Sequence, residues 1–393
     1  MRATHLFACL VLCICLATAH AAITVGTCKS LKNPYTTISA ALADAPANSV
    51  INVCPGTYQE QLNITKAVTI NGIVTDHQPG VTITAPPGGI VPDSDNNQSF
   101  TEINVKNAGG PVFLRDLTIS GGDLLTFEGA TNLGFACEFL QIQDFTAVRV
   151  WNTPAWLDHL NIDGVFGSST SGNCGGPGCL PPDPDFIPNC GSGIVIGNQP
   201  GTLSVVRRTV VSQAGLFGIL ATGDVELDHN VVSVLGPDSV GIYGEGLIQD
   251  NTVTASTYFG STGIQGGHRV QDNTIQSGTY GIKGATTAIH NTLMNNSVGI
   301  VGNNATENLI VSGPLYLDPS CPVNPSNPSI QTCPIPTVGI ELACGPVNTV
   351  THNSIGGVGV GLADVGSSGI IPMSNSFTQV STRSTRCPKS TVK

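Results

Sequence analysis

The sequence predicts an all-β chain wound as a right-handed parallel β-helix, a solenoid opened by a short capping helix. Three observations carry this reading. The first is a repeat, seen in Arg208-Thr209-Val210-Val211, His229-Asn230-Val231-Val232, Asp250-Asn251-Thr252-Val253, Asp272-Asn273-Thr274-Ile275, His290-Asn291-Thr292-Leu293, Glu307-Asn308-Leu309-Ile310 and His352-Asn353-Ser354-Ile355. The interval from Arg208 to Glu307 is 17 to 22 residues, too short for a helix pair and suited to one coil of short strands. The second is a glycine step between copies, at Gly218-Ile219, Gly241-Ile242, Gly263-Ile264, Gly281-Ile282 and Gly299-Ile300. The third is composition: 47 glycines with only 10% charged residues, which argues against charge-driven disorder.

Taken in order, residues 1–22 read as a signal peptide: basic Arg2, an apolar run from Leu6 to Leu16, and the small-residue triplet Ala19-His20-Ala21. The apolar run is too short to span a bilayer, so an exported, extracellular or periplasmic, monomeric protein is expected. Cys9, Cys13 and Cys15 lie in this leader without a lipobox, and ten cysteines remain. An even number in an exported chain favours disulfides, with Cys28, Cys54, Cys174, Cys179, Cys190, Cys321, Cys333 and Cys344 as candidates. Zinc at Cys174 and Cys179 is the alternative.

Residues 23–73 read as a cap and first coil, and 74–393 as the solenoid, with insertions at 164–192 and 314–336. Strand alternation puts each repeat's Asn and its second apolar residue inward, the residue between facing water. Stacked inward amides can hydrogen-bond along the column, and unpartnered they would be costly. The step glycines are expected to supply turn conformations. Earlier coils carry Leu in place of Asn, at Leu117-Thr118-Ile119, Leu140-Gln141-Ile142 and Leu160-Asn161-Ile162, with a second inward strand at Leu125-Thr126-Phe127, Val148-Arg149-Val150 and Ile194-Val195-Ile196.

The opening resembles that of pectin methylesterases and other pectin lyase-like β-helix proteins. The residues are Tyr35-Thr36-Thr37-Ile38-Ser39-Ala40-Ala41, Val50-Ile51-Asn52-Val53-Cys54-Pro55-Gly56-Thr57-Tyr58-Gln59-Glu60, Leu62-Asn63-Ile64-Thr65-Lys66 and Thr69-Ile70-Asn71-Gly72. The resemblance implies that the first piece is a helix closing the open end of the solenoid, where bare strands would otherwise expose apolar edges. Cys28 and Cys54 flank that cap, and a disulfide between them is expected. Esterase chemistry does not carry over. Gln143-Asp144-Phe145 and Asp185-Phe186-Ile187-Pro188 are fragments of that family's motifs, and its Leu-Gly-Arg-Pro-Trp segment is absent.

Aligned this way, Asp123, Asp144 and Asp163 fall in one turn column, where successive coils would bring acids close enough to share Ca2+. Solvated turn aspartates are the plainer reading. Arg149 and Trp151, two apart on one strand, both face outward, and Trp156 follows. Outward tryptophans suit sugar rings, and an arginine beside calcium is what the resemblance implies for proton abstraction from a uronate. Arg149 and Asp144 are thus the candidate catalytic residues, with Trp151, Trp156 and Glu128 as substrate contacts. Glu128 is also the expected ion-pair partner of Arg149 on the preceding coil, and both tryptophans can instead pack beneath the insertion. His159, beside Asp158, and the polar column from Arg208 to Glu307 read as turn residues.

A net charge of −11 argues against nucleic acid as partner. Two functions follow: a secreted protein that binds and cleaves acidic polysaccharide, as lyase or hydrolase, or a non-catalytic scaffold or adhesin.

Overall fold

The computed structural model describes residues 23–28, 34–75, 78–91, 93, 99–120, 144–165, 191–236, 238–257, 260–312, 337–342, 349–365 and 374–386. Within them the chain is a right-handed parallel β-helix. Each layer contributes three short strands, typified by Phe217–Thr222, Val225–Asp228 and Val231–Val234. Stacked layers make three columns. The first two run together as a 22-stranded sheet, and the third is a 12-stranded sheet. No helix among the described residues is long and apolar enough to cross a membrane.

Register is held from layer to layer along the inward row, with local bulges in four strand pairs, such as that between Met294 and Asn296. In the third column Ile83, Ile119, Ile162, Val211, Val232, Val253, Ile275, Leu293, Ile310 and Ile355 form one inward row. All are buried in one continuous core, where each large apolar side chain contributes about 1.5–3 kcal/mol by leaving water. The residue before each such side chain points out, so Val231 is 49% exposed while Val232 is buried.

The expected amide ladder is present. The side-chain Nδ2 of Asn230, Asn251, Asn273, Asn291, Asn308 and Asn353 donates to Oδ1 of the asparagine one layer on, ending at Asn375, at 2.9–3.0 Å. That oxygen also accepts the backbone N–H of the asparagine before it, at 2.9–3.1 Å. Nδ2 reaches back as well to a carbonyl of the preceding layer, as Asn230 does to Val206 at 2.9 Å. Every polar atom of these buried amides is therefore satisfied, which removes the penalty of burying them. The ladder starts at Thr209, whose N–H donates to Asn230 Oδ1. Before Thr209 the same place holds the buried Leu117 and Leu160. The residue ahead of each inward position makes the corner. Asp116, His159, Arg208, His229, Asp250, Asp272, His290, Glu307 and His352 all take left-handed backbone, φ 50–57°. The polar column of the sequence is a corner column, as expected.

The step glycines correct an expectation. Gly218, Gly241, Gly263, Gly281 and Gly299 lie inside strands without left-handed φ, so they supply no turn. What they supply is room. A Cβ on Gly263 would meet Ile275 Cγ2 at 2.3 Å and the carbonyl oxygen of Gly281 at 2.8 Å. The row continues through Gly193, Gly339 and Gly361, with each missing Cβ aimed at the next layer's backbone.

The cap is the helix Ile38–Asp44, with Thr37 as N-cap. First-coil side chains hold both its ends. Glu60 accepts the N–H groups of Ile38 and Ser39, each at 2.8 Å, and Lys66 Nζ donates to the carbonyls of Ala43 and Ala45 at 3.2 and 2.6 Å. Opposite charges thus sit at the two ends that the helix dipole favours. Cys28 and Cys54 form a disulfide, Cα–Cα 5.4 Å, tying the cap to the first coil. Cys174, Cys179, Cys190, Cys321, Cys333 and Cys344 lie outside the described residues.

The early coils depart from the sequence alignment. The strand Leu117–Ser120 pairs directly with Asn161–Asp163, Thr118 opposite Asn161. No rung therefore lies between these two strands, where the alignment expected Leu140-Gln141-Ile142, a segment outside the described residues. The preceding-layer neighbour of Arg149 is Asn104, not Glu128. Alternation alone could not reveal this, because a stretch of about one coil's length has the spacing of a coil whether or not it forms one.

Replacing Asn273 by Ala strands the buried polar groups of both neighbouring rungs and is expected to cost about 3 kcal/mol in chemical denaturation. Gly263→Ala, forced against backbone, is expected to cost about 2 kcal/mol.

Candidate functional site

Two outward clusters place the candidate residues. The first lies on the strand Asp144–Trp151, where Arg149 and Trp151 point out as expected. The Arg149 guanidinium lies 5.5 Å from the Trp151 ring centroid, and its Nη1 is 2.9 Å from Asp93 Oδ2. Asp93 is buried and also accepts from Thr101 Oγ1 at 2.8 Å and Asn104 Nδ2 at 3.4 Å. Arg149 is thus anchored by a carboxylate the sequence did not single out, with its side chain 14% exposed. Trp151 is 44% exposed and lies across Gly197, its partner in the next layer, where a Cβ would come within 2.1 Å of the ring.

Asp144 and Asp163 do not belong to one column. Asp144 pairs with Ser99 in the 22-stranded sheet, whereas Asp163 pairs with Ser120 and Ser212 in the 12-stranded sheet. The expected Ca2+ column is therefore not formed by these two. Asp123 and Glu128 lie outside the described residues.

The second cluster is built on the second column, and Trp156 belongs to it. Outward side chains alternate along Val112–Arg115, Ala155–Asp158 and Ser204–Arg207, three strands in register. One outward row brings Phe113 and Trp156 into a stack, centroids 5.0 Å apart and planes 20° apart. The next brings Arg115, Asp158 and Arg207 side by side. The corner residues Asp116, His159 and Arg208 complete the strip.

Asp158 is the electrostatic centre of this strip. Its Oδ2 accepts from Arg207 Nη2 at 3.0 Å, and Arg208 grips both its oxygens, Nε and Nη2 to Oδ1 at 2.9 and 2.7 Å and Nη2 to Oδ2 at 2.6 Å. Burial alone would raise its affinity for a proton, but the hydrogen bonds from Arg208 and Arg207 outweigh that and hold its carboxyl below the usual value. His159 Nδ1 is 2.6 Å from Asp116 Oδ1. Two layers on, His229 Nδ1 is 2.6 Å from Asp228 Oδ1, and the bond to Asp228 raises its pKa above that of a free imidazole.

Sequence reasoning placed Trp156 but missed Phe113, Arg115, Asp116 and Arg207. Their signal was the shared alternation of Phe113 with Arg115 and of Trp156 with Asp158, masked while the coils were misaligned. The structure does not bring Trp156 and Trp151 to one cluster: Trp151 keeps Arg149 and Gly197, and Trp156 keeps Phe113.

A single-chain parallel solenoid bearing an aromatic and arginine-rich outer strip is the class that fold and site define. No protein-family model and no curated protein sequence matches the chain. Among solved structures it is similar to the A-module of the Azotobacter vinelandii mannuronan C-5 epimerase AlgE6, at 14% identity and TM-score 0.42, over 90% of this chain and 91% of that one. It is similar also to the periplasmic alginate epimerase AlgG, at 11% identity and TM-score 0.33, over 90% and 84%. Neither likeness assigns a role to a residue here.

The lowered pKa of Asp158 fixes a sign. Its charged form is stabilised by folding, so that stability is present above the unfolded carboxyl's value, near 4, and is lost as pH falls below it. Asp158→Asn is expected to lower the melting temperature at neutral pH and to flatten its fall as the pH drops below about 4.

Proposed function

We propose that the protein is an exported binder of acidic polysaccharide, seated along the second column over Phe113, Trp156, Arg115, Arg207 and Arg208. One observation carries this reading: a stacked aromatic pair and three guanidinium groups stand in consecutive layers of one outer face. On a chain with only 15 Lys and Arg against 26 Asp and Glu, Arg115, Arg207 and Arg208 gather on one strip, interleaved with Asp116 and Asp158 and, one layer on, Glu226 and Asp228. Layers repeat at about 4.8 Å, a step that lets an extended sugar chain meet equivalent groups in successive layers. Apolar sugar faces suit aromatic rings, and planar carboxylates suit arginine's forked donors. Trp151, with Arg149 beside it, offers a further platform on the neighbouring column.

One contact favours a catalytic extension, that of a lyase. With Asp116 at Nδ1, the opposite nitrogen of His159 is the one left for proton transfer, next to Arg208, which would steady a uronate carboxylate. The hydrolase reading is weaker, because Asp158, the buried acid of the strip, is kept charged by its arginines and cannot serve as a proton donor.

Affinity electrophoresis in gels containing polygalacturonate, alginate or a neutral glucan tests the binding. Retardation is expected in the acidic gels alone, weakened about tenfold by Trp156→Ala or Arg207→Ala, each removing about 1.4 kcal/mol. Equal mobility in all gels would leave the scaffold function standing. Release of unsaturated uronate, absorbing in the ultraviolet and abolished by His159→Ala, would identify the lyase.

A further inference from the structure

The corner column places a histidine between carboxylates three times, and the three places differ in a way that bears on metal binding. At His159 one carboxylate, Asp116, meets the ring, while neighbouring Asp158 is taken by Arg207 and Arg208. At His290 the carboxylates stand on opposite edges, Asp272 at Nδ1, 3.6 Å away, and Glu307 at Nε2, so one ion cannot be reached by all three. At His229 they converge. Ligand atoms of Asp228, His229 and Asp250 all lie within 4.8 Å of one another.

We propose that Asp228, His229 and Asp250 form a binding site for a first-row divalent metal ion such as Zn2+. An ion with bonds of about 2.0–2.2 Å holds its ligand atoms roughly 3–4 Å apart, a spacing this trio reaches by small side-chain rotations. An imidazole nitrogen with two carboxylate oxygens suits zinc, nickel or copper rather than calcium, which prefers oxygen throughout. The frame is rigid where it matters. His229 and Asp250 each precede a ladder asparagine, and the two layers are locked by Asn230 Nδ2 and N–H bonding to Asn251 Oδ1 at 3.0 and 2.9 Å. Gln249 Nε2 donates to Asp228 Oδ1, the oxygen that faces His229 Nδ1, at 3.3 Å and so helps to fix that carboxylate, the supporting role that outer hydrogen bonds play around metals. In the preceding layer Arg207 and Arg208 share the one carboxylate of Asp158, which offsets part of their positive charge. All three ligands are reachable from solvent and leave open positions for water or an oxygen of a bound polymer.

The site stands whether or not the chain binds polysaccharide, and its test needs no glycan. Isothermal titration of Zn2+ into the untagged, metal-stripped full chain is expected to show a saturable site that weakens at least tenfold in both His229→Gln and Asp250→Asn, and stays unchanged in His290→Gln. Both changes suit left-handed backbone: Gln213 already takes φ 58° in this chain, and Asn tolerates that region well. Circular dichroism confirms the fold of each variant. Absence of saturable Zn2+ binding, or wild-type affinity in either His229→Gln or Asp250→Asn, overturns the proposal.

Discussion

Everything in this molecule depends on layers stacking without slippage. A carboxamide buried in an apolar core is tolerable only while its oxygen and both its hydrogens find partners, and here those partners belong to the layers above and below. A displacement of one residue in one coil would leave donors of two rungs unmet and turn an apolar row toward water. The side chains that look least functional are therefore the ones that let distant residues such as Arg115, Asp158 and Arg207 stand next to one another.

Close approach is the second half of that constraint. The glycine row brings strand backbones to distances that no Cβ would allow, and it does so with ordinary extended dihedrals. The corners carry the strained backbone instead, and there the chain uses Asp, His, Arg and Glu. Left-handed conformation is costly for such residues, and the ladder bond at the next position offsets it. Side chains at these corners stand outward in a fixed line, which turns a structural necessity into a row of charged groups.

The winding and the inward asparagines were legible because each follows from a short, local pattern, alternation and a repeat interval, whereas the cap helix and the Cys28–Cys54 bond were expected from the resemblance of the opening to pectin lyase-like proteins. The early register was not legible. Leu140-Gln141-Ile142 repeats the sequence frame of a rung at about one coil's spacing, and nothing local in the sequence says that Leu117–Ser120 pairs directly with Asn161–Asp163 instead. That single slip assigned Asp144 and Asp163 to one column and hid the alignment of Phe113 with Trp156. Arg149 illustrates the other limit. Its outward direction came from alternation, but its partner Asp93 is 56 residues away in the chain and meets it only through the fold.

The identity of successive rungs has an evolutionary corollary. Asn230 meets Asn251 just as Asn251 meets Asn273 and Asn273 meets Asn291, each amide in the same orientation. A gene that duplicated or lost the stretch encoding one whole turn would present every remaining interface with a partner it already fits.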